Sequence, residues 1–323
     1  MTAHFADRLI EAIERRNAPV CVGLDLQMER LPESILEEAG VSDPGEAAPG
    51  RQPADSSAAA KALKAFGEEI IQITAPIVPA VKINIAFFEM HGVEGIRAYL
   101  DLVRAAHRAG LLVIGDVKRA DIGNTSQRYA RAHLTDDARV GSDAVADAIT
   151  VNPYFGFDSI EPFVAVAVRE RRGVFVLVQT SNPSAAEIQG LALSEGGTVA
   201  ERIGTLVHEW SRSDGLVGDR GYSCVGAVVS PRDVETTIRL RRNMPRCLFL
   251  VPGFGTQGRS AEEVAHCFDG AGRGAVVNAS RSVVYAFDEP RYRERYGVDW
   301  RRAIQDACEE FVLAVCNAAS RKQ

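Results

Sequence analysis

The sequence predicts an α/β fold, a (β/α)8 TIM barrel, from three observations. Eight short β-rich apolar runs alternate with helical segments along the 323 residues. These runs are apolar at consecutive positions, as parallel strands covered on both faces require. No glycine-rich dinucleotide turn follows the first run, where an open doubly wound sheet would more often carry one. A barrel of this length is ordinarily one domain, so the whole chain is expected to form one.

Each element has its own signal. Phe5, Leu9, Ile10 and Ile13 recur at helical spacing, so an extra helix opens the chain. The run 19–25 is the first strand and ends in Asp25. Residues 37–57, rich in Gly, Pro, Ala and Asp without periodicity, read as a surface insertion. A helix is expected over 62–78, with Leu63, Phe66, Ile70 and Ile73 on one face, and strand two over 80–86 carries Lys82. A helix over 92–109 leads into strand three, which opens with the apolar run 111–114, and a polar helix follows from Asn124 to about His133. Strand four, 148–152, ends at Asn152; the turn residues Pro153 and Gly156 separate it from a helix over 159–171. Strand five, 174–179, leads to Thr180-Ser181-Asn182-Pro183, and a second insertion, 184–197, precedes a helix over 199–211. After strand six, 224–229, Pro231 suits a first helical position. Strand seven, 247–251, runs into the Gly-rich loop 252–258 and a helix over 261–268. Strand eight, 274–278, ends at Ala279-Ser280-Arg281-Ser282, and a last helix covers 300–319.

Composition excludes several classes. A hydrophobic content of 46% with 25% charged residues is that of a globular protein. A net charge of -6 argues against a nucleic-acid-binding surface. No apolar segment reaches the ~20 residues that span a bilayer, and the opening segment is too charged for a signal peptide, so no membrane partner is expected. The six cysteines are scattered, with no C-x-x-C pair, and read as buried free thiols of a cytoplasmic protein.

The chemistry concentrates in Asp116-Val-Lys118-Arg-Ala-Asp121, directly after the apolar run 111–114. Strand side chains alternate faces, so Asp116 and Lys118 point the same way, inward at the end of a buried strand. A carboxylate and an ammonium brought into one apolar neighbourhood must pair or act on a ligand. Asp121 lies beyond, in the loop, free to reach elsewhere. A TIM barrel builds its active site at the C-terminal strand ends. Those ends carry Asp25, Lys82, Asp116, Lys118, Asp121, Asn152, Ser181, the loop 252–258 and Ser280-Arg281, whereas the bottom of the barrel shows no matching set. Gly253, Gly255 and Gly258 after strand seven let a backbone approach an anion, and Arg281 after strand eight can grip it: a phosphate site. Each carboxylate has a cation to hand, so no metal is expected. His91, His107, His133, His208 and His266 fall in helices or turns and read as surface residues.

The set Val22-Gly-Leu-Asp25, Val81-Lys82, Asp116-Val-Lys118-Arg-Ala-Asp121-Ile-Gly-Asn-Thr125, Ser181, Pro252-Gly253 and Arg281 resembles the orotidine 5'-phosphate decarboxylase family. The forms Asn152-Pro-Tyr-Phe-Gly156 and Thr180-Ser-Asn-Pro183 are most similar to its longer bacterial branch. The resemblance implies cofactor-free decarboxylation of orotidine 5'-phosphate to uridine 5'-phosphate. It makes Lys118 the acid that protonates C6, Asp116 the neighbour of the departing carboxylate, and Lys82 the lysine bonding Asp116 and the ribose. Asp25 would bind a ribose hydroxyl, Ser181 the pyrimidine edge, and Arg281 with Gly253 and Gln257 the phosphate; Asn152 and Ser280 join the substrate-binding candidates. Asp121 and Thr125 would cross a homodimer interface into the neighbour's site. The loop after strand seven is short, so a phosphate lid would be small or come from the 184–197 insertion. Two alternatives stay open: a magnesium-dependent keto-sugar-phosphate decarboxylase of the same superfamily, and a non-catalytic nucleotide-binding barrel.

Overall fold

The computed structural model describes residues 3–41, 56–136, 144–213, 215–255 and 261–321. The amphipathic opening segment forms α1 (Phe5–Arg16), capped by the His4 ring, which accepts from the Ala6 N–H, and stopped by Asn17 in a left-handed conformation. Then come β1 (Val20–Leu24), α2 (Glu33–Ala39), α3 (Ser56–Thr74), β2 (Ala80–Asn84), α4 (Ala86–Glu89), α5 (Gly92–Arg108) and β3 (Leu112–Arg119). The middle of the chain supplies α6 (Gly123–Leu134), β4 (Ala148–Val151), α7 (Phe157–Glu170), β5 (Gly173–Gln179), α8 (Ala186–Gln189), α9 (Val199–Trp210) and β6 (Ser223–Val229). It ends with α10 (Val234–Asn243), β7 (Cys247–Val251), α11 (Ala261–Ala265), β8 (Ala275–Ala279), α12 (Arg281–Val284), α13 (Pro290–Tyr296) and α14 (Trp300–Ser320).

Each strand pairs in parallel with the next, and β8 returns to β1 to close the barrel. All seven residues of β6 and all five of β7 are buried, which is why these runs are apolar at every position rather than at alternate ones. Helices ring the strands at close range. A Cβ on Gly67 in α3 would come within 2.7 Å of Leu102 in α5, so only glycine allows that approach.

The extra helix α1 lies against the strands' N-terminal ends. Its Phe5 ring sits where a Cβ on Gly173 would come within 2.2 Å, and meets Phe175 edge-on at 6.0 Å. Contrary to the sequence expectation, this bottom end also carries charge. Asp147, 2% exposed, takes Arg8 at 2.6 Å, Arg172 at 2.9 Å, His107 at 3.0 Å and the Val113 N–H at 2.9 Å. Arg8 comes from α1, His107 from α5 and Arg172 from the turn before β5, and only the closed barrel brings them together. His107 is therefore tied to a buried carboxylate, and His91 is 4% exposed, so neither is the free surface residue expected.

Local differences have local causes. Residues 37–39 of the expected insertion are the end of α2, and 42–55 lie outside the described residues. The helix after β6 starts at Val234 and not near Pro231, because the Asp233 carboxylate caps it, accepting from the Thr236 N–H at 2.7 Å. The 184–197 insertion carries α8 and a bridge between Ala192 and Thr198.

Candidate active site

Strand three reaches the site through a break in its regularity. Its pairing with β4 shifts between Gly115 and Arg119, and Lys118 adopts φ +44°, a left-handed conformation that costs a non-glycine residue about 1–2 kcal/mol. The Thr150 hydroxyl on β4 accepts the Lys118 N–H at 3.0 Å and donates to Asp116 Oδ1 at 2.9 Å, holding the distorted turn. With the backbone so placed, Lys118 Nζ donates to Asp116 Oδ1 at 2.6 Å. Strained backbone held by a specific partner is a common feature of functional sites.

Lys82, 5% exposed on β2, donates to the other carboxylate oxygen, Asp116 Oδ2, at 2.8 Å and lies 3.5 Å from Asp25 Oδ1. The chain of charges therefore runs Asp25–Lys82–Asp116–Lys118. Burial pushes the Asp116 carboxyl up, but Lys82 and Lys118 outweigh it and hold it well below the usual carboxylate range. Burial likewise pulls Lys82 down, and Asp116 and Asp25 more than restore it, leaving it above the ordinary lysine value. Both groups stay charged throughout the neutral range. Cys21, buried beneath them, is pushed by burial up to about 12 and stays a thiol.

These residues line a cavity of about 280 Å³ at the C-terminal mouth of the barrel, with Lys118 half exposed on its wall. Ser181, Gly253, Ser280 and Arg281 line the same cavity, so of the expected residues it gathers eight with Asp25, Lys82, Asp116 and Lys118. Gly253 has φ +90° and Gly255 φ +83°, backbone that favours glycine in the loop after β7. Gln257 lies outside the described residues.

Three expected residues do not line the cavity. The Asn152 amide oxygen turns back to accept the Tyr154 N–H at 3.1 Å, at the turn after β4. Asp121 accepts from the Ile122 N–H at 2.8 Å at the entry to α6, and Thr125 on that helix is exposed. The cavity also includes Asn84, Thr150, Thr180 and Asn278, which sequence reasoning passed over. Period two could have found three of them: Asn84 lies two residues after Lys82, Thr150 two before Asn152, and Asn278 two before Ser280.

A family model described as orotidine 5'-phosphate decarboxylase / HUMPS family matches residues 18–295. The orotidine 5'-phosphate decarboxylase of Rhodopirellula baltica is 41% identical over 308 residues, spanning 94% of this chain and 96% of its own. That of Caldicellulosiruptor saccharolyticus is 34% identical over 88% of this chain and 90% of its own length. The solved structure of Leishmania donovani OMP decarboxylase superposes with a TM-score of 0.71 at 26% identity, covering 98% of this chain and 99% of the other.

Proposed function

We infer the workings of the cavity from a plain premise: this chain belongs to the orotidine 5'-phosphate decarboxylase family. It is a carboxy-lyase that converts orotidine 5'-phosphate to uridine 5'-phosphate and carbon dioxide in pyrimidine biosynthesis. The roles of its residues are our own reading, and one observation carries it: Asp116 held between Lys82 at 2.8 Å and Lys118 at 2.6 Å on a cavity wall.

Loss of carbon dioxide leaves an electron pair at C6 of the pyrimidine. A fixed ammonium beside that carbon stabilises the developing charge as it forms, without reorganising, and then delivers the proton. Lys118 suits this part because it is the half-exposed lysine, whereas Lys82 is enclosed. Asp116, kept ionised, faces the substrate carboxylate and fixes the Lys118 ammonium. Asp25 and Lys82 take the ribose, Ser181 the pyrimidine edge, and Gly253, Ser280 and Arg281 the phosphate. Phosphate lies remote from C6, so its binding energy serves to seat the ring. Both Asp116 oxygens are already held by ammonium and hydroxyl donors, which supports a reaction without a metal.

We further read the chain as one barrel domain and as a cytoplasmic homodimer in which Asp121 and Thr125 reach the neighbouring site. Support comes from their position outside the cavity and from the exposed apolar side chains Met90, Ile122, Tyr154 and Phe155 on the segments after β2, β3 and β4. Five of the six cysteines are buried free thiols, as a reducing compartment allows, and no helix among the described residues is long and apolar enough to cross a membrane.

The test is direct: follow orotidine 5'-phosphate consumption by absorbance, with no metal added and with excess EDTA. Unchanged turnover in EDTA is expected; loss on chelation and recovery with magnesium would overturn the metal-free reading.

A further inference from the structure

The hydroxyl of Tyr285 lies outside the cavity lining, against the segment that follows β1. Tyr285 follows α12, the short helix that begins with Arg281, and its N–H donates to the Arg281 carbonyl at 3.1 Å. Its side chain runs inward, 1% exposed, to the segment that follows β1. There the Tyr285 hydroxyl accepts the Gln27 N–H at 2.6 Å and donates to the Asp25 carbonyl at 3.4 Å. One oxygen thus brackets residues 25–27, and Asp25 is the residue whose carboxylate lies 3.5 Å from Lys82.

The ring is held as firmly as the hydroxyl. The Arg30 guanidinium stacks over it at 4.0 Å, and Arg30 is itself fixed by two bonds to Asp288 Oδ2, at 3.0 and 2.7 Å. Phe66 stacks beside it at 6.1 Å. A ring so confined cannot swing to follow a wandering loop, so the loop must conform to the hydroxyl.

We propose that Tyr285 is a positioning residue of the active site: its hydroxyl sets the backbone at Asp25, and so the carboxylate that lies beside Lys82 and meets the ribose, from the end of the short helix that presents Arg281. This rests on the reading of Asp25 as a ribose ligand. Nothing in it needs Tyr285 to touch substrate, since packing alone would be served as well by phenylalanine. What phenylalanine lacks is the acceptor for the Gln27 N–H, which would then be left without its partner. Asp25 would gain freedom to turn away from Lys82, and effective alignment falls off steeply with small displacements.

The experiment is a double-mutant cycle on Tyr285→Phe and Asp25→Ala, with thermal melts of every variant. Tyr285→Phe should lower kcat/KM by about 10–100-fold, the range set by losing one well-placed buried hydrogen bond. In the Asp25→Ala background the same change should cost less than about threefold, since the group it positions is gone. Equal factors in both backgrounds, or an unchanged kcat/KM for Tyr285→Phe, overturn the proposal while leaving the ribose reading intact. Wild-type kinetics for Asp25→Ala alone would overturn both. If Tyr285→Phe does not fold, Arg30→Ala, which removes the stack over the ring together with the Asp288 pair, takes its place in the same cycle. It should show a smaller loss that likewise vanishes without Asp25; an equal loss in both backgrounds counts against the strut.

Discussion

Replacing Lys118 with alanine separates chemistry from binding in this site. The four charges Asp25, Lys82, Asp116 and Lys118 sum to zero, and removing the last leaves one net negative charge facing the substrate carboxylate. If Lys118 is the proton donor, the variant loses that donor, worth about 10²–10⁴-fold, and a fixed charge beside the developing carbanion, worth about 10²–10³-fold. Together these amount to about 10⁴–10⁷ in kcat, or about 5–10 kcal/mol of barrier. Uridine 5'-phosphate carries no carboxylate to be repelled and on our reading is seated through phosphate and ribose, so its Kd should move by less than about threefold. Orotidine 5'-phosphate, which does carry one, should bind more weakly than in the wild type. Single-turnover absorbance and product titration by calorimetry read the two quantities separately. Turnover within about a hundredfold of wild type, or equal losses of turnover and product affinity, would refute Lys118 as the proton donor.

Two further perturbations probe the phosphate end and the assembly. Gly23→Ala on β1 would bring a Cβ within 2.0 Å of Ser280 Oγ and 3.0 Å of Ser280 Cβ and Asn278 Oδ1, so Ser280 must move beside Arg281. KM for orotidine 5'-phosphate should rise about tenfold or more, and an unchanged KM would show that Ser280 has no part in holding the phosphate. If Asp121 serves the neighbour's site, mixing inactive Lys118→Ala and Asp121→Ala proteins should restore activity in hybrid dimers; confirmed subunit exchange without recovery removes that role.

Most of the barrel was legible because its signal is one-dimensional: a strand covered on both faces is apolar at every position, and β6 and β7 show that directly. The Lys118 side chain was legible from period two, although its backbone leaves the strand geometry to get there. What the sequence withheld depended on partners distant in the chain. Asp147 gave no sign of Arg8, 139 residues away, or of His107, 40 away. Asn152 has a residue type that fits the cavity, but the turn it enters offers the Tyr154 N–H first. On β4 and β8 the cavity reaches one layer below the strand ends, to Thr150 and Asn278, so reading only terminal residues stopped too high.

The barrel carries a buried, multiply paired carboxylate at each end, and comparing them shows what a functional cluster adds. At the bottom, Asp147 is closed off by Arg8, Arg172, His107 and an N–H, so its charge serves only to lock α1, α5 and the start of β5 together. At the top, Asp116 is paired as fully, but one partner, Lys118, stands half exposed on an open cavity. Replacing each carboxylate by its amide should therefore have opposite results for turnover. Asp147→Asn strips a buried cluster of its anion and should cost about 3 kcal/mol, a fall in Tm of about 4 °C, while folded enzyme still turns over. Burial raises the Asp147 carboxyl, but its His107 bond and the Arg8 charge hold it well below the usual range. A carboxyl lowered on folding gives stability that is full above its unfolded value, about 3.9, and lost as pH falls below it. Wild type should accordingly keep its advantage over Asp147→Asn at neutral pH and lose it only in acid. Asp116→Asn leaves the enclosed Lys82 only Asp25, at 3.5 Å, so it should also cost up to about 3 kcal/mol; the difference lies in turnover, which collapses. Turnover surviving in Asp116→Asn would mean that both carboxylates merely hold the barrel together.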